Sequence, residues 1–561
     1  MKKFLWAMGV FGFIVCLAVS LRVTQAKGDK VLKLEFHGAI EELQSNDILG
    51  ALSGNASQSI HTITSNIRRA AKDPEIQGIF FHISNVQIGI AQLQDVADAM
   101  AVFKKSGKWS VSYLDTAGEF SSGNVPFCLA STTDSITISP TGSVNLMGLR
   151  AESAFFKKTL ELMDIDVLVE QRHEYKNAAA PFAEEKYTEA HLEATKSLLE
   201  DVQSALIQLL ATHRGIDNNV ARAWFEEGPY SVAQAREKGI IQTAGYYDQV
   251  LDDIEGRMVD DWETVSLDKY RETGKLYQGA VPVALVIAEG SIHRGESSAD
   301  PSIGSDTLTR AIRNARKDGV AGLLLRVDSP GGSVIASDVI RREIELTKAA
   351  GIPVVVSMGN LAASGGYYIS LDADYIVAQA GTITGSIGVI AMLTSLHRTL
   401  KNNFKVSFDS YQTMENGDAF SMTELPQGQR LKRLQESIDF IYDDFLNKVA
   451  QGRKMDIEQV KEVAKGRVWS GLAAQKNGLV DELGDVHLAL VRLQERMKIS
   501  EQEGIHLKVY PEDDNPLAML RSLIGANINL PEEVKVTLDA LKLLSNTGDS
   551  TLRVPTVPTI R

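Results

Sequence analysis

Cysteine is nearly missing: the 561 residues hold only Cys16 and Cys128. Cys16 falls in an apolar N-terminal stretch, so the rest has one thiol and no internal disulfide, a pattern that suits a cytoplasm or a bacterial periplasm alike. Runs of Lys and Arg are missing too, and the formal net charge is −14. A chain of that sign without a basic patch has nothing to neutralise a phosphate backbone, so nucleic acid is excluded as a partner. The usual metal patterns are absent: there is no H-E-x-x-H, no C-x-x-C and no paired His at helical spacing. No metal or other cofactor is expected. Of ten histidines, none lies between His293 and His397, which removes the commonest general base from the segment richest in glycine turns.

That segment, residues 321–390, organises the chain. The buried-strand run Leu323-Leu324-Leu325-Arg326-Val327 leads into Asp328-Ser329-Pro330-Gly331-Gly332-Ser333. A second apolar strand, Pro353 to Ser357, leads into Ala362-Ala363-Ser364-Gly365-Gly366-Tyr367, and Thr384-Gly385-Ser386-Ile387-Gly388 closes the stretch. Strand, glycine turn and helix in alternation imply βαβ units and a parallel sheet, with both turns at strand C-termini, where such sheets build their sites. Ser364 sits among Ala and Gly, open to a substrate carbonyl. Gly331 and Gly332 can turn backbone N–H groups toward one point, as an oxyanion hole requires.

The length suggests three or four domains. Residues 1–30 begin Met1-Lys2-Lys3 and run uncharged from Phe4 to Leu21, which predicts an uncleaved single-span anchor with a cytoplasmic N-terminus. An internal repeat follows. Val31 to Ile40 is echoed by Pro282 to Ile292, Ile67 to Asp73 by Ile312 to Asp318, Thr141-Gly142-Ser143-Val144 by Thr384-Gly385-Ser386-Ile387, and Ser231 to Ile241 by Ser470 to Val480, about 240 residues apart. Two α/β domains of one topology are therefore predicted, at 31–259 and 280–510, joined by a charged linker at 260–279. A tail at 511–561 holds short helices around Leu517–Ile524 and Glu532–Leu544. Stretches 186–222 and 426–465 read as long helices. The first copy has lost the glycine pair, showing Ser84-Asn85-Val86-Gln87-Ile88-Gly89 there, and Ser121-Ser122-Gly123-Asn124 where the second has Ala363-Ser364-Gly365-Gly366.

A serine nucleophile needs a base. His82 lies in a buried-strand pattern, His173, His191 and His213 in polar helical surroundings, and none is set beside an Asp and a glycine turn as a triad would be. A lysine base must be neutral near pH 7, which takes burial worth roughly three pKa units. Lys176 precedes the run Asn177-Ala178-Ala179-Ala180-Pro181-Phe182, the one apolar setting among the lysines.

Gly331-Gly332-Ser333, Ala362 to Tyr367 and Thr384 to Gly388 resemble the motifs of the signal peptide peptidase A (protease IV) family, in its long, duplicated bacterial form. The likeness covers nearly the whole chain. It implies two tandem Clp protease/crotonase-like spirals of ββα units behind an N-terminal transmembrane helix. It implies a Ser/Lys endopeptidase that degrades cleaved signal peptides and other small hydrophobic peptides, on the periplasmic side of the bacterial inner membrane, as a homo-oligomer (a tetramer). Carried onto this chain, the nucleophile falls on Ser364, the base on Lys176 and a lysine-orienting serine on Ser386. The oxyanion donors fall on Gly331 or Gly332 and Gly365. Asn177 departs from the serine expected after the lysine. A crotonase-like acyl-CoA enzyme and a non-catalytic membrane scaffold are the alternatives of other classes.

Overall fold

A computed structural model describes residues 29–42, 58–258, 262–297, 301–414, 416–417, 421, 423–500 and 503–511. The expected anchor, save its last two residues, and the expected tail helices lie outside these. Among the described residues no helix is long and apolar enough to cross a membrane.

The first half runs β1 (Asp29–Glu41), α1 (Ile60–Lys72), β2 (Ile76–Gln87), α2 (Ile90–Lys104), β3 (Trp109–Leu114), α3 (Asn124–Ser131), β4 (Ser135–Ile138), β5 (Asp166–Gln171), α4 (Glu189–Arg214), α5 (Asn218–Glu227), β6 (Thr243–Ala244) and β7 (Trp262–Ser266). The second runs β8 (Val281–Glu289), α6 (Ser305–Lys317), β9 (Gly322–Ser329), α7 (Val334–Ala349), β10 (Val354–Ala363), α8 (Gly365–Tyr368), β11 (Tyr375–Ala378), β12 (Ile383–Gly385) and β13 (Ile390–Ser395). It ends with α9 (Gly428–Arg453), α10 (Ile457–Val463), β14 (Val468–Ser470), β15 (Glu482–Leu483), α11 (Val486–Met497) and β16 (Ile505–Tyr510).

Both halves carry a sheet whose six parallel strands follow one order, the second half adding β12 and β14, which pair antiparallel with each other. The first reads β7-β1-β2-β3-β4-β6 and the second β16-β8-β9-β10-β11-β15. The β9 run carries only Arg326, Asp328 and Ser329 as polar residues because both sheet faces are covered. Leu323, Leu325 and Val327 pack with Ile312 of α6 and Ile340 of α7, while Leu324 packs with Leu490 and Leu493 of α11. Such alternation between two cores is the period-two geometry of a strand.

Two expectations change. The 260–279 stretch, expected as a linker, supplies β7, paired in parallel with β1 at Asp29↔Trp262 through Lys33↔Ser266. β7 corresponds to β16 of the second half. It reads as linker because an edge strand is charged where it faces water, with only Val265 buried. The two long helical stretches are each broken once. α4 ends at Gly215 (φ 65°) and α9 at Lys454 (φ 55°), both left-handed caps. Asp217 and Asp456 then start α5 and α10 by accepting N–H bonds from Asn219 and Glu458.

Among the contacts between the halves are a strand ribbon and a buried charge network. β5 and β13 form an antiparallel ribbon, from Ile390↔Gln171 to Ser395↔Asp166, extended by the Arg172 N–H donating to Val389 O at 3.0 Å. Arg326, 2% exposed, donates from Nε to Glu42 Oε2 at 2.8 Å and from Nη2 to Asp95 Oδ2 at 2.7 Å. Its Nη1 reaches Ser357 Oγ at 2.9 Å. Removing one member of a buried charge network strands the others, at about 3–5 kcal/mol. Arg326→Met should therefore lower the stability measured by chemical denaturation by about that much. Combining it with Glu42→Leu and Asp95→Leu should recover most of the loss. An unchanged denaturation midpoint in Arg326→Met would contradict this reading of the interface.

Candidate active site

Ser364 directly follows strand β10 and is the N-cap residue of α8. Its φ of 55° and ψ of −116° lie outside the ordinary regions for a residue with a Cβ, a strain of order 1–3 kcal/mol. The surroundings hold it there: its N–H donates to Gly385 O and its carbonyl accepts from the Tyr368 N–H, both at 2.9 Å. The glycines that follow let this corner approach the loop after β9. A Cβ on Gly365 would lie 3.0 Å from both Gly331 Cα and Gly332 N, and one on Gly366 would lie 2.6 Å from Ser329 O.

Gly331 (φ 93°) and Gly332 (φ 153°) take conformations that favour glycine. Their N–H groups have different fates. That of Gly331 donates to Ser329 Oγ at 3.1 Å, and the same hydroxyl donates to Gly290 O at 2.7 Å. Gly331, expected as an oxyanion donor, is thus already committed, and its part is to turn the loop. The N–H groups of Gly332 and Gly365 meet no acceptor among the described residues. They are the open pair.

Lys176 follows β5 and is carried by the interdomain ribbon to Ser364. The alanine run after it forms a 3-10 turn (Asn177–Ala179) and one helical turn (Ala180–Ala183). Its Nζ lies 2.9 Å from Ser364 Oγ, 2.9 Å from Ser386 Oγ and 2.9 Å from Ser386 O. The residue is 5% exposed, and among the described residues no carboxylate pairs with it. Burial without a counter-charge disfavours the ammonium and lowers its pKa from 10.5 to about 7. The Asn177 N–H donates to Tyr175 O at 2.9 Å.

A strap at 465–467, unread in the sequence, forms the floor beneath Lys176. A Cβ on Gly466 (φ 78°) would fall 2.5 Å from Lys176 Cβ. The Gly466 N–H donates to Ile387 O at 2.8 Å, the Ser386 N–H to Arg467 O at 2.7 Å and the Tyr175 N–H to Lys465 O at 3.2 Å. Arg467 ties the strap to α4 with two bonds to the Glu193 carboxylate, each 2.8 Å. The strap's only sequence signal is a glycine inside a charged run. Among the described residues of the first half no lysine bonds Ser122, whose Oγ accepts from the Asn124 N–H at 3.3 Å. His82 is half-buried, with its ring among those of Phe80, Tyr113 and Tyr247.

The sequence profile of peptidase family S49 matches residues 102–258 and 347–500, one stretch in each half. The chain belongs to peptidase family S49. It is 30% identical to "Protease 4" of Salmonella typhi over 94% of this chain and 89% of that protein. It is 32% identical to "Protease 4" of Haemophilus influenzae over 87% and 83%. The "Putative signal peptide peptidase SppA" of Enterococcus faecium is 39% identical over 36% of this chain and 58% of that one. This S49 peptidase is a serine protease, which sets aside the acyl-CoA enzyme and the scaffold.

In this S49 peptidase the strap leaves no room for a methyl group at residue 466. Gly466→Ala should push Lys176 out of line and lower kcat about 10²-fold, with far-ultraviolet circular dichroism unchanged. Wild-type turnover in Gly466→Ala would show that the strap does not set the lysine's position.

Proposed function

We propose that this peptidase works through a Ser364–Lys176 dyad, degrading cleaved signal peptides and other small hydrophobic peptides. The observation that carries the reading is the 2.9 Å contact of Nζ with Ser364 Oγ, made by a lysine buried without a counter-charge among the described residues. An uncharged amine has two N–H donors and one lone pair. The donors go to Ser386 O and Oγ, which leaves the lone pair facing the Ser364 hydroxyl. Lys176 takes that proton as Oγ attacks the scissile carbonyl, and the N–H groups of Gly332 and Gly365 receive the oxyanion. Collapse of the intermediate breaks the C–N bond, and Lys176 returns the proton to the leaving amine. Water, activated by the same lysine, then hydrolyses the acyl-enzyme. Ser386 holds Nζ in place throughout.

The parallel sheets and βαβ crossovers support a Clp protease/crotonase-type spiral in each half. The charge-free run from Phe4 to Leu21 supports a single membrane span, with the catalytic part in the periplasm. The name of the Enterococcus faecium relative supports signal peptides as substrate. A homo-oligomer, a tetramer by family resemblance, completes the reading. Incubation of the purified protein with a released signal peptide and with an equally long polar peptide tests the substrate class. Faster cleavage of the polar peptide contradicts it.

Ser364→Ala should abolish peptidase activity, whereas Ser122→Ala should leave it near wild type. Lys176→Arg should be inactive, since guanidinium stays protonated in proteins. Wild-type kcat/KM should rise about tenfold per pH unit up to a midpoint near 7 and then level off, as one proton leaves Lys176. Substantial turnover in Lys176→Arg sinks the dyad.

The same lysine weakens the fold. Its folded pKa is depressed from 10.5 to about 7, so between those values folding must expel a proton that the unfolded chain would keep. The penalty is greatest below about pH 7 and vanishes above 10.5. Lys176→Met should raise the melting temperature at neutral pH, and the gain should shrink as pH approaches 10.5. A gain that does not change with pH would mean that the lysine is charged in the folded protein.

A further inference from the structure

β9 and β10 fall out of step just before the nucleophile. Between Val327↔Met358 and Ser329↔Ala362, β9 advances two residues while β10 advances four. This bulge, Gly359-Asn360-Leu361, redirects the strand toward Ser364. Asp328 closes it from the second half: Oδ1 accepts from the Leu361 N–H at 3.0 Å, and Oδ2 accepts from the Asn360 N–H at 3.3 Å and its Nδ2 at 3.2 Å. The other end of the Asn360 side chain leaves its own half. Asn360 Oδ1 accepts from the N–H groups of Ala91 and Gln92, at 3.1 and 3.2 Å, in the first turn of α2.

The reason lies in a missing side chain. In the second half Ser333 caps α7, accepting from the Ala336 N–H at 3.3 Å. At the same place in the first half stands Gly89, with no side chain to cap α2. A Cβ on Gly89 would lie 2.1 Å from Asn360 Oδ1. Gly89 has the backbone of an ordinary N-cap, φ −77° and ψ 167°, which serine adopts readily, so conformation does not call for glycine. The space does.

We propose that Asn360 is a positioning residue for the nucleophile: the first repeat's lost oxyanion loop has become the socket that grips the second repeat's nucleophile strand. The proposal rests on Ser364 as the nucleophile. Helix α2 holds Asn360, Asn360 and Asp328 hold the bulge, and the bulge aims Ser364 at Lys176 and the Gly332–Gly365 pair. The first half thereby contributes two things to catalysis, a lysine and the aim of the serine.

Two full-length variants test this by opposite routes. Asn360→Ala removes the grip. Gly89→Ser gives α2 a cap of its own and evicts Asn360, so it keeps the helix stable while losing the same contact. Each should lower kcat roughly 10²-fold, the scale of a small misplacement of reacting groups. KM should change little, and the pH midpoint should stay put because the burial of Lys176 is untouched. Gln94→Ala removes another contact of α2 with the second half, the Gly381 N–H to Gln94 Oε1 bond of 2.8 Å, and should keep wild-type turnover. Wild-type kcat in both test variants, with Ser364→Ala inactive, overturns the proposal and leaves the dyad standing. So does an equal loss in Gln94→Ala, which would make the effect a general loosening of the interface. An active Ser364→Ala removes the reading beneath it.

Discussion

A lysine amine buried with no counter-charge among the described residues is the constraint on which the rest of the structure turns. Moving an ammonium out of water is costly, so burial alone tips Lys176 toward the neutral form. An opposite charge within a few ångströms would reverse that. Lys176 meets two serines and glycine backbone instead, and the buried carboxylates Glu42 and Asp95 are gathered around Arg326. Gly388 and Gly466 bring the main chain so close that a Cβ on either would press on the lysine stem, 3.2 Å from Cδ and 2.5 Å from Cβ.

The duplication explains how one site came to need two domains. Both halves keep the same six-strand order, and each has given up something. The first lost the glycine pair and kept a lysine just past β5. The second kept both glycine turns and holds no equivalent lysine. The β5–β13 ribbon joins what was divided, since its antiparallel register runs straight from Gln171 to Lys176 on one arm and from Ser386 to Ile390 on the other. The buried Arg326 network and the Asn360 grip fix the orientation from the opposite side. The geometry around Ser364 thus depends on the interface as much as on its own half.

Much of this was legible in the sequence, for identifiable reasons. Buried strands such as Leu323 to Val327 announce themselves as apolar runs, and the turns at Gly331-Gly332 and Gly365-Gly366 announce themselves because tight backbone approach excludes a Cβ. The repeat exposed the shared topology. Lys176 was legible in part, through its apolar neighbours, and its role came from family resemblance. What stayed hidden depended on partners distant in the chain. The charged edge strand Trp262–Ser266 looked like linker because its pairing with β1 leaves no apolar mark. Gly331's N–H could not be known to be committed to Ser329, and neither Gly466 nor Asn360 carries a local pattern that marks what it touches. Lys454 ends a helix where Gly215 does so in the other copy, so even a repeated feature can hide when the residue type changes.

The central claim is that Lys176 is uncharged near neutral pH in the resting protein. Carbon-13 labelling at lysine Cε, with Lys176 assigned by comparison with Lys176→Met, lets nuclear magnetic resonance follow that one titration directly. A midpoint near 7 is expected. A midpoint near the ordinary 10.5 would show an ammonium beside Ser364 and contradict the claim.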